Sequence, residues 1–282
     1  MTLLQAVILG IVQGLTEFLP ISSTAHLRIV PALLDWHFTY NAGKNDPGTA
    51  FTAVIQLGTA AAIVIYFWRE LLHVCVAWIR GLYDRSMRST LEYRLGWYLI
   101  VATIPVSVIG LALHHQIETG ARNLWLISGA LIVLALALLI AELVGKRNRE
   151  EEDLKTTDAI VVGAAQALAL VPGSSRSGVT ITAGLFRGLD RETAARFSFL
   201  LSIPAVVLSG IYEATKISGH KGPGAGLTGI ALIFAFATGL ASIAWLMRWL
   251  VRHTTYIFIG YRIGLGLLLI GLLSSGVLHA TT

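Results

Sequence analysis

Apolar residues fall in blocks of about 20 along this chain, the length that crosses a hydrocarbon core. Within each block they run all round the helix rather than along one stripe, as in lipid-embedded helices. Six blocks predict full spans, at 49–68, 94–114, 123–144, 192–213, 227–247 and 256–278. The alternating pattern of a membrane barrel strand is not seen. Two further stretches, 3–34 and 157–187, each have room for two short helices and are broken at Pro20 and Pro172, with small polar residues following. Broken polar backbone at membrane depth is tolerated only where protein buries it or where it lines a wet cavity. Both stretches are therefore expected to be re-entrant helix–turn–helix hairpins, and the chain an all-α polytopic membrane protein.

Charge sets the expected orientation. Basic clusters occur at 69–94 (Arg69, Arg80, Arg85, Arg88, Arg94), at 146–155 (Lys146, Arg147, Arg149, Lys155), at Arg187, Arg191 and Arg196, and at Arg248 and Arg252. The alternate loops hold only Lys44, Arg122, Lys216 and Lys221. The positive-inside rule puts the four clusters in the cytoplasm and both termini outside. The first hairpin then enters from outside and the second from the cytoplasm. Matching residues follow the same antisymmetry. Gly10 and Gln13 are echoed by Gly163 and Gln166, Pro20, Ser22 and Ser23 by Pro172, Ser174 and Ser175, and Phe51 and Tyr66 by Phe197 and Tyr212. The expectation is one membrane domain built as an inverted repeat, 1–145 and 155–282, each half a hairpin plus three spans. Such repeats place a polar site at the midplane, where the breaks meet.

Composition agrees with this reading. Charged residues are 13% of the chain, roughly half the share in soluble domains. The net charge of +5 comes from loop residues, so it gives no reason to expect nucleic acid. Cys75 is the single cysteine; it excludes an intrachain disulfide and reads as a small buried hydrophobe. No cleavable signal peptide is expected, because the start lacks basic residues and Gln13, Glu17 and Pro20 interrupt its apolar run. His114 and His115 read as interfacial, as do most of the tryptophans.

Two motifs carry candidate chemistry. In the first, Gln13 and Glu17 lie four apart and share a helix face. A carboxylate inside the membrane marks a functional site by default. Beyond Pro20, Ser22, Ser23 or Thr24 can cap the next helix, whose free N–H groups attract phosphate. Ser23 and His26, three apart, form a nucleophile-and-base arrangement, although capping and a satisfied polar contact explain the same spacing. The second motif runs through Gly173, Ser174, Ser175, Arg176, Ser177, Gly178 and Thr180. Small hydroxyl residues and N–H groups at a helix start make another anion cradle. Arg176 stays charged when desolvated, and its fork fits phosphate oxygens. The combined set suits a phosphorylated ligand.

These two motifs, in this order, resemble the undecaprenyl-diphosphate phosphatase family, also called the bacitracin-resistance family, over essentially the whole chain. The resemblance implies a multi-pass protein of the bacterial cytoplasmic (inner) membrane with two re-entrant hairpins and six spans. It implies hydrolysis of undecaprenyl diphosphate to the monophosphate and phosphate, which recycles the lipid carrier for wall synthesis and confers bacitracin resistance. It implies a divalent cation, Mg²⁺ or Ca²⁺, with Glu17 as its ligand. The expected partners are a polyprenyl diphosphate lipid and the membrane, with a homodimer as a candidate assembly. The motif match carries Glu17, Ser23, His26 and Arg176 over as the catalytic group. Gln13, Ser22, Thr24, Gly173, Ser174, Ser175, Ser177 and Thr180 are expected to bind substrate. Gln13 falls where many members carry a first Glu, which leaves Glu17 the only carboxylate of its motif. On this reading Ser23 attacks the terminal phosphorus, His26 takes its proton, Glu17 holds the metal or orients His26, and the site opens to the outer side; direct attack by water, with His26 or Glu17 as base, is the alternative. The rival reading is a transporter of a phosphorylated polyprenyl lipid, since inverted repeats with broken helices also suit alternating access.

Overall fold

A computed structural model describes residues 1–41, 43–113, 123–216 and 223–280, without the side chains of Thr49 and 209–216. Eleven α-helices are described: α1 Leu3–Phe18, α2 Ser23–Leu33, α3 Thr49–Tyr66, α4 Trp68–Tyr83, α5 Leu91–Ala112, α6 Leu124–Val144, α7 Thr156–Gln166, α8 Arg176–Phe186, α9 Arg191–Lys216, α10 Ala225–Arg252 and α11 Tyr256–Ser274. Extended pairing among the described residues is limited to two isolated bridges, Phe38 with Lys44 and Arg149 with Leu189. Among the described residues four helices, α5, α6, α10 and α11, are long and apolar enough to cross a membrane, and up to five if the bent pair α3–α4 is one span. The protein is a multi-pass, all-helical membrane protein. The expected span at 192–213 falls in the 26-residue α9, which carries Arg191, Glu192 and Arg196 in its first turns. Expectations for His114, His115, Arg122 and Lys221 lie outside the described residues.

Each of the two interrupted stretches holds a pair of helices parted by a break. Thr2 starts α1 with a capping box shared with Gln5, and the helix stops at Phe18 because Pro20 cannot continue it. The second break begins earlier than the proline suggests. Helix α7 ends at Gln166, and a 3₁₀ turn, Ala167–Leu170, leads to Pro172. That tighter winding is a common way to use carbonyls left over at a helix end. The two ends of the second hairpin meet, since Asp158 near its start accepts from Arg187 at its far end (2.7 Å) and from Arg149 (2.5 Å). At that same end the buried Glu142 of α6 pairs with Arg147 (3.0 Å) and Arg191 and accepts from Thr255 (2.8 Å). These bonds gather the ends of α6 and α8 with the starts of α7, α9 and α11. Arg191 is thus held by a buried carboxylate rather than left free in a charged loop.

The charged stretch 69–94 is more ordered than a loop. The chain bends by 76° after Tyr66 and runs on as α4, which buries Val74, Ala77 and Gly81 and exposes Leu72, Val76 and Ile79. Trp78 packs edge-on to Trp97 of α5 with ring centroids 5.5 Å apart. Cys75 is exposed rather than buried, because it lies on the face of α4 turned away from the bundle. Counting the arginines of this stretch hid the helical spacing of the apolar residues between them.

The first helix of each hairpin packs through a glycine. Gly10 of α1 lies against the Ala231 backbone of α10, and a Cβ on Gly163 of α7 would come within 2.5 Å of the Ala102 carbonyl oxygen of α5. Helix α6 lies along α11, and α3 along α9 and α10. The two breaks meet inside this frame.

Candidate active site

The same backbone device occurs at both breaks. Ser22 and Ser175 cap α2 and α8, and both hold a positive φ, 75° and 66°. This region is costly for a residue with a Cβ. Each side chain accepts from an N–H three residues on, Ser22 Oγ from Ala25 (3.4 Å) and Ser175 Oγ from Gly178 (3.2 Å). The left-handed turn aims the helix starts inward. The breaks touch directly: the Gly173 N–H points at Thr24 Oγ1 (3.5 Å), and Ser177 Oγ donates to the Leu19 carbonyl (3.2 Å).

Glu17 is the hub. Its Oε2 accepts from Gln13 Nε2 (2.9 Å) and Ser23 Oγ (2.7 Å). Its Oε1 accepts from Gln56 Nε2 (2.9 Å) and from Arg176, with which it forms an ion pair. The carboxylate side chain is 6% exposed. A buried charge is tolerable only when paired and hydrogen-bonded, and four donors meet that need. The pair joins the first hairpin to the second across 159 residues of chain.

A cavity of about 370 Å³ opens on this hub. Gln13, Glu17, Ser22, Ser23 and Thr24 line it from the first hairpin, and Pro172, Ser175 and Arg176 from the second. Apolar residues of α3, α5, α6 and α9, among them Ala53, Val106, Ile127 and Ala205, complete the wall. The arrangement combines a hydroxyl held by a carboxylate, a guanidinium, two helix starts and an apolar flank.

Several expected binding residues stand outside the cavity wall. Gly173 touches Thr24. Ser174 donates to the Val171 carbonyl (2.6 Å), and Thr180 bonds to the Arg176 carbonyl (2.8 Å) and to Ser198 (2.6 Å). With Ser177, they hold the turn in shape. The expected Ser23–His26 contact is replaced by another. His26 Nδ1 lies 2.7 Å from the Ser22 carbonyl oxygen, and Nε2 lies 2.6 Å from the Tyr261 hydroxyl. A carbonyl only accepts, so Nδ1 carries a proton and Nε2 of the neutral ring faces tyrosine. The imidazole stacks against the Tyr261 ring, with 10° between planes. The ring bonds back to the capping carbonyl one turn earlier, and this turns it away from Ser23, which reaches Glu17 instead.

Reasoning from the motifs also missed residues. Gln56 is a polar position inside an apolar span, a signal that was available. Arg28 and Asp46 line the cavity as well; Arg28 donates to the Asn45 carbonyl (3.0 Å), and Asp46 accepts from the Gly48 N–H (2.7 Å). Arg28 is a charge within the hairpin stretch and was equally visible. Nothing local marked Tyr261.

Fold and site together define a membrane-embedded helical protein whose broken helices meet at a polar cavity with an apolar wall. The family model for bacitracin resistance protein BacA matches residues 6–268, and the chain belongs to that family. Among its relatives, an undecaprenyl-diphosphatase of Myxococcus xanthus (strain DK1622) is 50% identical over 279 residues, 99% of this chain and 91% of the relative. One of Chlorobaculum tepidum (strain ATCC 49652 / DSM 12025 / NBRC 103806 / TLS) is 51% identical over 289 residues, 98% of this chain and 99% of the relative. One of Mycobacterium sp. (strain KMS) is 49% identical over 284 residues, 99% of this chain and all of the relative.

Proposed function

We propose that this protein hydrolyses undecaprenyl diphosphate to undecaprenyl phosphate and phosphate, recycling the carrier lipid of wall synthesis and so opposing bacitracin. The observation that carries the reading is Glu17, which binds Ser23 of its own hairpin and Arg176 of the other at the edge of the cavity. The apolar flank suits the prenyl chain, and the helix starts and Arg176 suit the diphosphate. The relatives' names favour hydrolysis over the transport reading.

In this mechanism the diphosphate enters, and Arg176 turns from Glu17 to phosphate oxygens. Glu17 keeps Ser23 and accepts its proton as Oγ attacks the terminal phosphorus. The bond from that phosphorus to the bridging oxygen breaks, and the lipid monophosphate leaves. Water then attacks the phosphoserine and releases phosphate. Phosphoryl transfer asks the protein mainly for positioning and charge stabilisation. His26 holds the first turn of α2 through the Ser22 carbonyl and Tyr261; Glu17 is the base nearest Ser23. Among binding residues, Gln13, Ser22, Thr24 and Ser175 line the cavity, whereas Gly173, Ser174, Ser177 and Thr180 shape it.

A divalent cation fits the donor set. Hard cations take oxygen ligands, and Mg²⁺ commonly uses one or two carboxylates together with substrate phosphates. Glu17 and Asp46 both line the cavity, and no cluster of three or more potential ligands occurs among the described residues. Mg²⁺ or Ca²⁺ held by Glu17 would neutralise charge on the diphosphate.

The inverted repeat of 1–145 and 155–282 is supported by packing. The first helix of each hairpin lies on the second full span of the opposite half, α1 on α10 and α7 on α5, through the echoed Gly10 and Gly163. The basic clusters support the bacterial inner membrane orientation with the site open to the periplasm. Purified protein in detergent should release phosphate from undecaprenyl diphosphate, and should do so with the divalent cation restored after chelation. Tight binding of the lipid with no phosphate released under any metal condition would overturn the hydrolytic reading and return the transport one.

A further inference from the structure

Arg262 of α11 is fully buried, the largest side chain among the described residues to be so. Every oxygen it reaches is a backbone carbonyl. Nη1 donates toward Pro20 (3.4 Å), and Nη2 toward Ala130 (3.4 Å), Gly173 (3.4 Å) and Ser174 (3.0 Å), while Nε has no partner. Among the described residues no carboxylate forms an ion pair with it. A buried cation with no counter-charge is costly inside a membrane protein, so its placement calls for a reason.

The acceptors supply the reason. Pro20 is the proline of the first break, and Gly173 and Ser174 form the turn of the second. Broken helices leave carbonyls without helical partners, and in a membrane these must be met from within the protein. One planar guanidinium meets those of both breaks, and the third element it touches, α6, anchors it from behind. We infer that Arg262 is a positioning residue for the reaction. It clamps the two breaks in register so that Ser23 and Glu17 from one half meet Arg176 from the other. The inference rests on the reading of the site given above. A lysine keeps the charge but not the two-armed fork, so the clamp and the bare charge are separable. Gly178, in the first turn of α8, provides a second handle: a Cβ there would lie 2.7 Å from Arg262 Nη1, its tightest contact, and 3.2 Å from Ser175 Oγ. Gly178→Ala therefore displaces the clamp while leaving its charge in place.

The test compares the unaltered protein with Arg262→Met, Arg262→Lys and Gly178→Ala, each purified in detergent and checked for a single folded species. Turnover of undecaprenyl diphosphate is followed to separate kcat from KM. A displacement of about 1 Å at reacting groups costs on the order of a hundredfold. All three variants should lose kcat on that scale, with KM moving far less, because the cavity that binds the lipid remains. If Arg262→Met yields no folded protein, Gly178→Ala decides the question. Near-normal kcat in Arg262→Lys or Gly178→Ala overturns the clamp. So does a loss confined to the yield of folded protein, with normal kcat per folded molecule, which assigns the residue to folding alone. Failure of the unaltered protein to turn over the lipid overturns instead the reading of the site on which the clamp rests.

Discussion

The two hairpins share a capping device and differ in the side chains around it. Each ends its first helix near a proline and starts its second with a serine at positive φ that caps its own helix. The side chains around that device differ. Gln13 of the first hairpin reaches Glu17 four residues on. Its echo, Gln166, is buried with neither amide atom bonded, and the residue four further on is Leu170, on the wall of the same cavity. The first half keeps a carboxylate and a serine; the second supplies the guanidinium that the carboxylate needs. One backbone device thus sets two helix starts at the cavity, with a carboxylate and a serine beside the first and a guanidinium at the second.

The largest effect should come from removing the carboxylate. Glu17→Gln keeps the shape but has one acceptor oxygen for four donors and no base for Ser23. Turnover should fall about a thousandfold, within the range for a lost general base. Retention of a tenth of the activity would show that the first half does not owe its role to the carboxylate. Ser23→Ala should be as inactive; appreciable phosphate release by that variant would remove the covalent step and leave direct attack by water.

Arg176→Lys comes next. Lysine cannot hold Glu17 and then phosphate with a two-pronged grip, and a lost charge-stabilising donor costs about a hundredfold or more in rate. Arg85→Lys, on an exposed residue, is the control and should be silent. If Arg176→Lys turns over at a third of the normal rate, the second hairpin contributes charge without geometry.

A smaller effect tests the shared backbone itself. Ser22→Ala and Ser175→Ala keep the positive φ and its strain but lose the capping acceptor. Each should lower stability by about 1 kcal/mol, read as similar drops in thermal unfolding temperature in detergent. A large inequality would mean that one break is held mainly by its neighbours and that the devices are not equivalent. The smallest change is expected from Tyr261→Phe, which removes one hydrogen bond from His26, typically about 1 kcal/mol and a few-fold in rate. A loss as deep as that of Glu17→Gln would restore His26 as the base.

Much of this protein follows from local order along the chain. The spans need only length and hydropathy, and the breaks at Pro20 and Pro172 need only the missing N–H and the small polar residues after it. Glu17 and Arg176 announced themselves because charge inside an apolar stretch is expensive. Sequence spacing could not say which of them Ser23 would face. Residues three apart on a helix suggested His26, yet rotamer choice is settled by what stands across the gap, here the Ser22 carbonyl, the Tyr261 hydroxyl and the Glu17 carboxylate. The helical order of 68–83 was hidden for a related reason, since its charges read as a loop until the bend after Tyr66 laid its apolar positions against α5. Arg262 makes the same point most fully. In the sequence it is a charge about two turns inside the span 256–278, and its spacing names no partner. Only when distant segments pack does it reach the carbonyls of both breaks, because orphaned backbone groups and the donors that satisfy them are matched by proximity in space and leave no mark in local spacing.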